Sequence, residues 1–115
     1  MFDFEKLVAY QKAKEVNAKI QKILIDKKTN AFLRDQLYRA SVSMVINIAE
    51  GTGKLSKQDR KNFYVISRGS VFECASLLEL LCDEKIIENK ELAGLKTNLE
   101  EVSRLLSGLI NSFTK

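Results

Sequence analysis

The chain has 115 residues, 45% hydrophobic and 30% charged, which fits one compact domain able to bury a core without a metal or disulfide staple. It has no proline, tryptophan or histidine. The missing proline permits long uninterrupted helices and argues against a turn-rich β-sandwich. The missing histidine removes the usual general base and the commonest transition-metal ligand.

The net charge of +4 is unevenly spread: residues 1–61 hold 13 basic and 7 acidic side chains, residues 62–115 hold 6 and 8. Such asymmetry marks a nucleic-acid-facing half, contacts between subunits, or no more than a solvated lysine-rich surface. The opening Met1-Phe2-Asp3-Phe4-Glu5 is acidic and lacks the apolar run of a secretory signal. No apolar stretch approaches the ~20 residues that span a bilayer. Cys74 and Cys82, placed on one helix, lie about 12 Å apart along its axis, too far to bridge. These features predict a cytoplasmic protein with two buried thiols.

Apolar periodicity predicts four helices. The first runs from about Phe4 to Asp26, with Leu7, Tyr10, Ala13, Val16, Ile20, Ile23 and Leu24 recurring every three or four residues and Asp3 as N-cap. After the polar break Lys27-Lys28-Thr29-Asn30, the second runs from Ala31 to Glu50, capped by Asn30. It closes at Gly51-Thr52-Gly53 through a left-handed glycine. Ser56, with Asp59 three residues on, opens a third that passes Phe63, Ile66, Leu77 and Leu80 and ends near Asp83. The fourth starts near Asn89, and its seam of Leu95, Leu99, Val102, Leu106, Leu109 and Phe113 repeats as a heptad. Helices of matched length with short links predict an all-α, antiparallel up-down-up-down four-helix bundle over residues 1–115 as a single domain.

Two groups of polar residues cut across this pattern. On the second helix Gln36, Arg39, Ser43, Asn47 and Glu50 fall within about 80° of one another, and nearly everything else is apolar. That excess of apolar surface calls for cover from another subunit. On the third helix Ser70 and Glu73 fall on the side of Phe63, Ile66, Leu77 and Leu80. A carboxylate there needs a partner, and Arg39 is the obvious one, with Asn47 and Gln36 satisfying leftover groups. The cluster reads either as a polar site inside the bundle or as a buried network that fixes register or subunit contacts.

The second group is basic. Lys57, Lys61 and Arg68 share one face of the third helix, with Arg60 beside them, Tyr64 between them and Lys54 just before. Cations clustered at a helix start suit phosphates, and Tyr64 suits stacking on a base. Solvated charge at an exposed helix end is the competing reading. Lys12, Lys19 and Lys22 make a weaker stripe on the first helix. Gly51-Thr52-Gly53-Lys54 lacks the spacing and preceding strand of a phosphate loop. A Glu-x-x-His di-metal bundle is impossible without histidine, and two cysteines alone make no zinc site. No cofactor and no metal are expected.

Phe4-Glu5-Lys6-Leu7, Gln36-Leu37-Tyr38-Arg39-Ala40, Asn47-Ile48-Ala49-Glu50-Gly51 and Arg68-Gly69-Ser70-Val71-Phe72-Glu73, in that order, resemble a known family. It comprises the small ribosomal-protein-like four-helix-bundle proteins encoded in intervening sequences of bacterial 23S rRNA genes. They are similar to the accessory variability protein of diversity-generating retroelements. The resemblance spans nearly the whole chain. It implies an up-down bundle assembled into a homopentamer, no enzymatic activity, and ribosomal RNA as the conjectured ligand. For the retroelement relatives it implies binding of nucleic acid and of a reverse transcriptase. The matching positions Gln36, Arg39, Asn47, Glu50, Gly69, Ser70 and Glu73 read as architectural. The expectation is therefore a non-enzymatic, homo-oligomeric module for structured RNA, with Lys54, Lys57, Arg60, Lys61 and Arg68 on phosphates. The alternative is a protein–protein adaptor, such as a reverse-transcriptase accessory protein, that never touches RNA.

Overall fold

The computed structural model describes residues 1–113. A single 3-10 turn (Asp3–Lys6) precedes four helices, α1 (Val8–Asp26), α2 (Ala31–Thr52), α3 (Lys57–Asp83) and α4 (Asn89–Ser112). No strand occurs among the described residues. Each helix packs on its neighbours in sequence and α1 closes against α4, with α2 and α3 sharing the most extensive contact. The result is the antiparallel four-helix bundle that the helix lengths predict. Its centre is filled by Ile20, Leu37, Met44, Ile48, Leu78, Leu81, Leu99 and Leu106, all fully buried. No helix among the described residues is long and apolar enough to cross a membrane.

The ends of the helices follow their local chemistry, with two corrections. The Asn30 side chain accepts the Leu33 N–H at 2.8 Å and the Ser56 hydroxyl accepts the Asp59 N–H at 3.1 Å, each satisfying an orphan donor of the first turn. Asp3 does not cap α1. The backbone is extended at Leu7 (φ −73°, ψ 128°), and this bend lets Phe4 meet the Tyr10 ring edge-on at 4.8 Å while stacking on Phe2 at 5.6 Å.

The second correction concerns the glycines. Helix α2 runs on through Gly51 and Thr52, Gly53 has φ −82°, and no glycine has positive φ. Gly51 serves a close approach instead: a Cβ there would lie 2.9 Å from Phe63 Cβ and 3.1 Å from the Tyr64 ring. The left-handed residue is Lys85 (φ 63°). Beyond α3, the Ile86 N–H reaches back to the Leu81 carbonyl and the Lys85 N–H to the Cys82 carbonyl, both at 2.9 Å. This is a Schellman-type closure on a lysine, and it buries Ile87 against the core.

On α3 the inward face is Tyr64, Ser67, Ser70, Val71, Cys74, Leu77, Leu78 and Leu81. Ile66, Glu73 and Leu80 are exposed and Phe63 is half-buried. The apolar series Phe63, Ile66, Leu77 and Leu80 is centred about 80° around the helix from this face. Helix α3 carries two apolar stripes, and periodicity alone does not say which one is covered.

Cys74 is buried and Cys82 only half-buried, the latter's thiol donating to Asn89 Oδ1 at 3.1 Å. Burial, and secondarily the adjacent Glu73 charge, push the Cys74 thiol up from 9.0 to about 12. The folded chain therefore keeps a proton that the unfolded chain releases near pH 9, and stability falls as pH rises through that window. This group alone should remove on the order of 1 kcal/mol of unfolding free energy between pH 8 and pH 10. Urea titrations at the two pH values should show this drop in the wild type and not in Cys74→Ala. At Gly51 a methyl group overpacks the α2–α3 contact, so Gly51→Ala should cost about 1–3 kcal/mol. Gly108→Ala, on an exposed turn of α4 with open space around it, should gain about 0.5–1 kcal/mol from helix propensity. Equal unfolding midpoints for the two variants would contradict the packing argument.

Candidate nucleic-acid interface

The link from α2 to α3 and the first turns of α3 gather four cations. Lys54 Nζ sits 4.9 Å from the centroid of the Phe63 ring, a cation–π contact that holds the ammonium over α3. Arg60 Nε donates to the Lys54 carbonyl at 2.6 Å, closing the link. Lys57 is exposed and Lys61 half-buried. One helical turn beyond Tyr64, Arg68 Nε donates to Ser107 Oγ on α4 at 3.0 Å, and its guanidinium lies 4.7 Å from the centroid of the Phe72 ring. Lys57, Lys61, Arg68 and Phe72 therefore fall within about 60° on the side of α3 turned toward α4.

Tyr64 does not join them. It is 3% exposed, its hydroxyl is bonded to Thr52 Oγ1 at 2.8 Å, and its ring stacks on Phe113 at 6.1 Å. It closes the end of the core and cannot stack on a base. The exposed aromatic on this face is Phe72, 55% exposed, and sequence reasoning missed it. The available signal was its position four residues after Arg68, where helical side chains meet.

The charge around this face is one-sided. Residues 60–72 and 102–113 contain no carboxylate and include Arg60, Lys61, Arg68 and Arg104. The antiparallel fold lays these two segments side by side, as the Arg68–Ser107 bond records. The weaker stripe on α1 is largely compensated: Lys12 lies 3.8 Å from both Glu15 and Glu101, Lys22 lies 3.4 Å from Asp26, and Lys19 donates to Asn98 Oδ1 at 3.0 Å.

The expected polar network resolves into a smaller one. Asn47 Nδ2 donates to the Ser43 carbonyl and hydroxyl at 2.8 and 2.9 Å, and Ser70 Oγ donates to Ser43 Oγ at 2.9 Å. Next to it, the buried Ser67 hydroxyl donates to the Met44 carbonyl at 2.6 Å. The Ser70–Ser43 and Ser67–Met44 bonds join α2 to α3 without a charge. Arg39 and Glu73 stand outside it, both exposed, with Arg39 Nε bound to Asp35 at 3.0 Å. Glu50 is exposed and Gln36 half-buried. The expected buried Arg39–Glu73 bond is not made: both side chains lie on the outer surface, where Arg39 binds Asp35 on its own helix.

The Ser43–Ser70 and Ser67–Met44 bonds fix the register of the antiparallel pair. Counting outward from them sets Arg39 level with Glu73, Ile46 with Ile66 and Phe32 with Leu80 on one outer face. All six side chains are exposed. Helix α2 is thus not buried on most sides within a single chain. Its surplus apolar residues, with those of α3, form a striped outer face that also carries Glu73 and the Arg39–Asp35 ion pair.

The chain can be set beside known proteins on this geometry. A solved structure of a protein of unknown function from the S23 ribosomal protein family of Bacteroides thetaiotaomicron superposes with a TM-score of 0.83 at 24% identity, covering 90% of this chain and 98% of that one. At that identity the likeness establishes the shared four-helix architecture. No curated protein matches the sequence. The family model for the 23S rRNA-intervening sequence protein matches residues 5–108, and with nearly the whole bundle inside that match, the chain belongs to the 23S rRNA-intervening sequence protein family.

Proposed function

We propose that this chain is a non-enzymatic binding module for structured RNA, ribosomal RNA first among candidates, working as a homo-oligomer in the cytoplasm. The observation that carries the reading is the pairing of two carboxylate-free segments, residues 60–72 of α3 and 102–113 of α4, into one basic face. Lys54, Lys57, Arg60, Lys61 and Arg68 supply phosphate contacts there, and phosphate neutralisation is the main source of sequence-independent affinity. The family's tie to 23S rRNA genes makes ribosomal RNA the first ligand to try. A non-catalytic role suits a chain without histidine whose interhelical polar cluster is made of serine hydroxyls and one asparagine amide bonded to one another.

The α2–α3 outer face supports self-assembly. Exposed Ile46, Ile66, Phe32 and Leu80 form an apolar surface of the kind that marks protein contacts. Arg39, bound within the chain to exposed Asp35, and Glu73 stand level on this face, so a second copy can pair the two across the interface. The family resemblance sets the expected stoichiometry at five.

Two experiments test these claims. Anisotropy titrations with a labelled 23S rRNA fragment at two salt concentrations should show binding that falls steeply with salt. Replacing Lys57, Arg60 and Lys61 together by Ala should weaken it and reduce the salt slope by about three. A variant that binds as well as the wild type would leave the stripe as solvated charge, and no binding at low salt would return the chain to the adaptor reading. For assembly, native mass spectrometry should show a pentamer. Arg39→Glu or Glu73→Arg alone should shift it toward monomer, and the double reversal should restore it. A monomeric wild type would remove the homo-oligomer from the reading.

A further inference from the structure

Beside the basic stripe, α3 and α4 leave an open groove of about 340 Å³. Its floor is apolar, made by Val71, Ala75 and Leu99, the Phe72 ring forms one wall, and Ser103 and Arg104 stand on the rim. We propose that this groove receives an unpaired nucleobase, stacked on Phe72, with Arg104 on the adjoining phosphate. The inference rests on the RNA reading above and names the form of RNA that the face takes.

Three observations converge on this ligand. First, the ring is already positioned: the Arg68 guanidinium packs against Phe72 at 4.7 Å, and Ser107 fixes that guanidinium from α4 at 3.0 Å. A ring held in this way loses little freedom when a base stacks on it, which is how pre-organised sites gain affinity. Second, the charge suits a phosphate backbone. Lys57, Lys61 and Arg68 run along α3 for about 22 Å up to Phe72 at 1.5 Å per residue, and Arg104 faces the same groove from α4. The far rim is neutralised within the chain, Lys96 being bonded to Glu79 at 2.7 Å. Glu100 is the one carboxylate on the lining, and it lies midway along α4 between Lys96 and Arg104, one helical turn from each. Third, the size suits a single base with its sugar and not a paired one. A duplex offers no free base face to a groove this narrow, whereas loops and bulges present theirs to aromatic side chains.

The test compares three labelled RNAs by anisotropy at low salt: a 12-nucleotide adenylate strand, the same strand with its four central bases removed, and a 12-base-pair duplex. Phe72→Ala should weaken binding of the intact strand by about 10-fold, within the range for loss of one stacking partner. It should leave the duplex and the abasic strand bound as by the wild type. Phe72→Trp should retain affinity for the intact strand. Phe72→Leu, which keeps apolar area without a π face, should lose it. Since Phe72 lies at the surface, thermal melts of each variant should match the wild type, and Phe72→Leu serves as the readout if Phe72→Ala unfolds. Unchanged binding of the intact strand by both Phe72→Ala and Phe72→Leu would overturn the stacking site and leave the groove to a protein partner, while RNA binding by the wild type would still stand. The same loss on the abasic strand would likewise overturn it. Failure of the wild type to bind any of the three RNAs would instead remove the underlying RNA reading.

Discussion

The close approach of α2 and α3 is the constraint from which the rest of the molecule follows. It depends on small side chains at the contact. Gly51 leaves room for Phe63 and Tyr64, and Ser43, Ser67 and Ser70 replace bulk with short hydroxyl bonds between the helices. Those hydroxyls carry no net charge, so they join the pair without the desolvation cost of a buried ion pair. They also set the register, because each has one partner at one level of the opposite helix. With the register set, the outward residues of the two helices line up in rows, and Tyr64 is driven into the gap that Gly51 leaves. Its hydroxyl then bonds back to Thr52 and its ring meets Phe113, so one contact also seats the end of α4.

Helix α3 consequently carries three kinds of surface. One faces the core, one flanks α2 and is apolar with Glu73 among its residues, and one flanks α4 and is basic with Phe72 at its upper end. A helix of 27 residues in a four-helix ring can do this because neighbours cover only part of its circumference. The apolar and basic faces lie on opposite flanks, so a contact on one leaves the other open. This geometry lets self-association and RNA binding coexist in the proposed function.

Much of the fold was legible in the sequence. Asn30 and Ser56 announce their helices by side-chain chemistry that acts within three residues, and both cap as expected. The heptad of α4 places Leu95, Leu99, Val102 and Leu106 in the core, because that helix has a single apolar stripe. Helix α3 was misread because it has two. With Ile66 and Leu80 as hydrophobic as Val71 and Leu78, composition gives no reason to bury one pair over the other, and the choice falls to Gly51 and the serines, which act between helices. The same 80° error carried Glu73 inward, generating an ion pair with Arg39 that the chain does not make. It also left Tyr64 on the surface. Phe72 was overlooked because its role depends on Arg68 being held by Ser107, 39 residues away in the chain.

The charge asymmetry between the two halves of the sequence also changes meaning once the chain is folded. Halves of a sequence are not halves of an up-down bundle, since each end of the bundle gathers segments from both. At one end the lysines of α1 and the following link, Lys19, Lys22 and Lys27, line a shared groove with Glu88 and Glu91 from the start of α4, so basic and acidic segments offset each other. At the other end residues 60–72 of α3 meet residues 102–113 of α4, and neither segment brings a carboxylate. A modest net charge of +4 is thereby concentrated on one face, and the potential a polyanion meets is set by that local excess. The acidic side chains of the C-terminal half, which taken alone argue against a nucleic-acid partner, lie from Glu73 onward on α3 and up to Glu101 on α4, beyond the basic stripe, with Glu100 reaching the groove beside it.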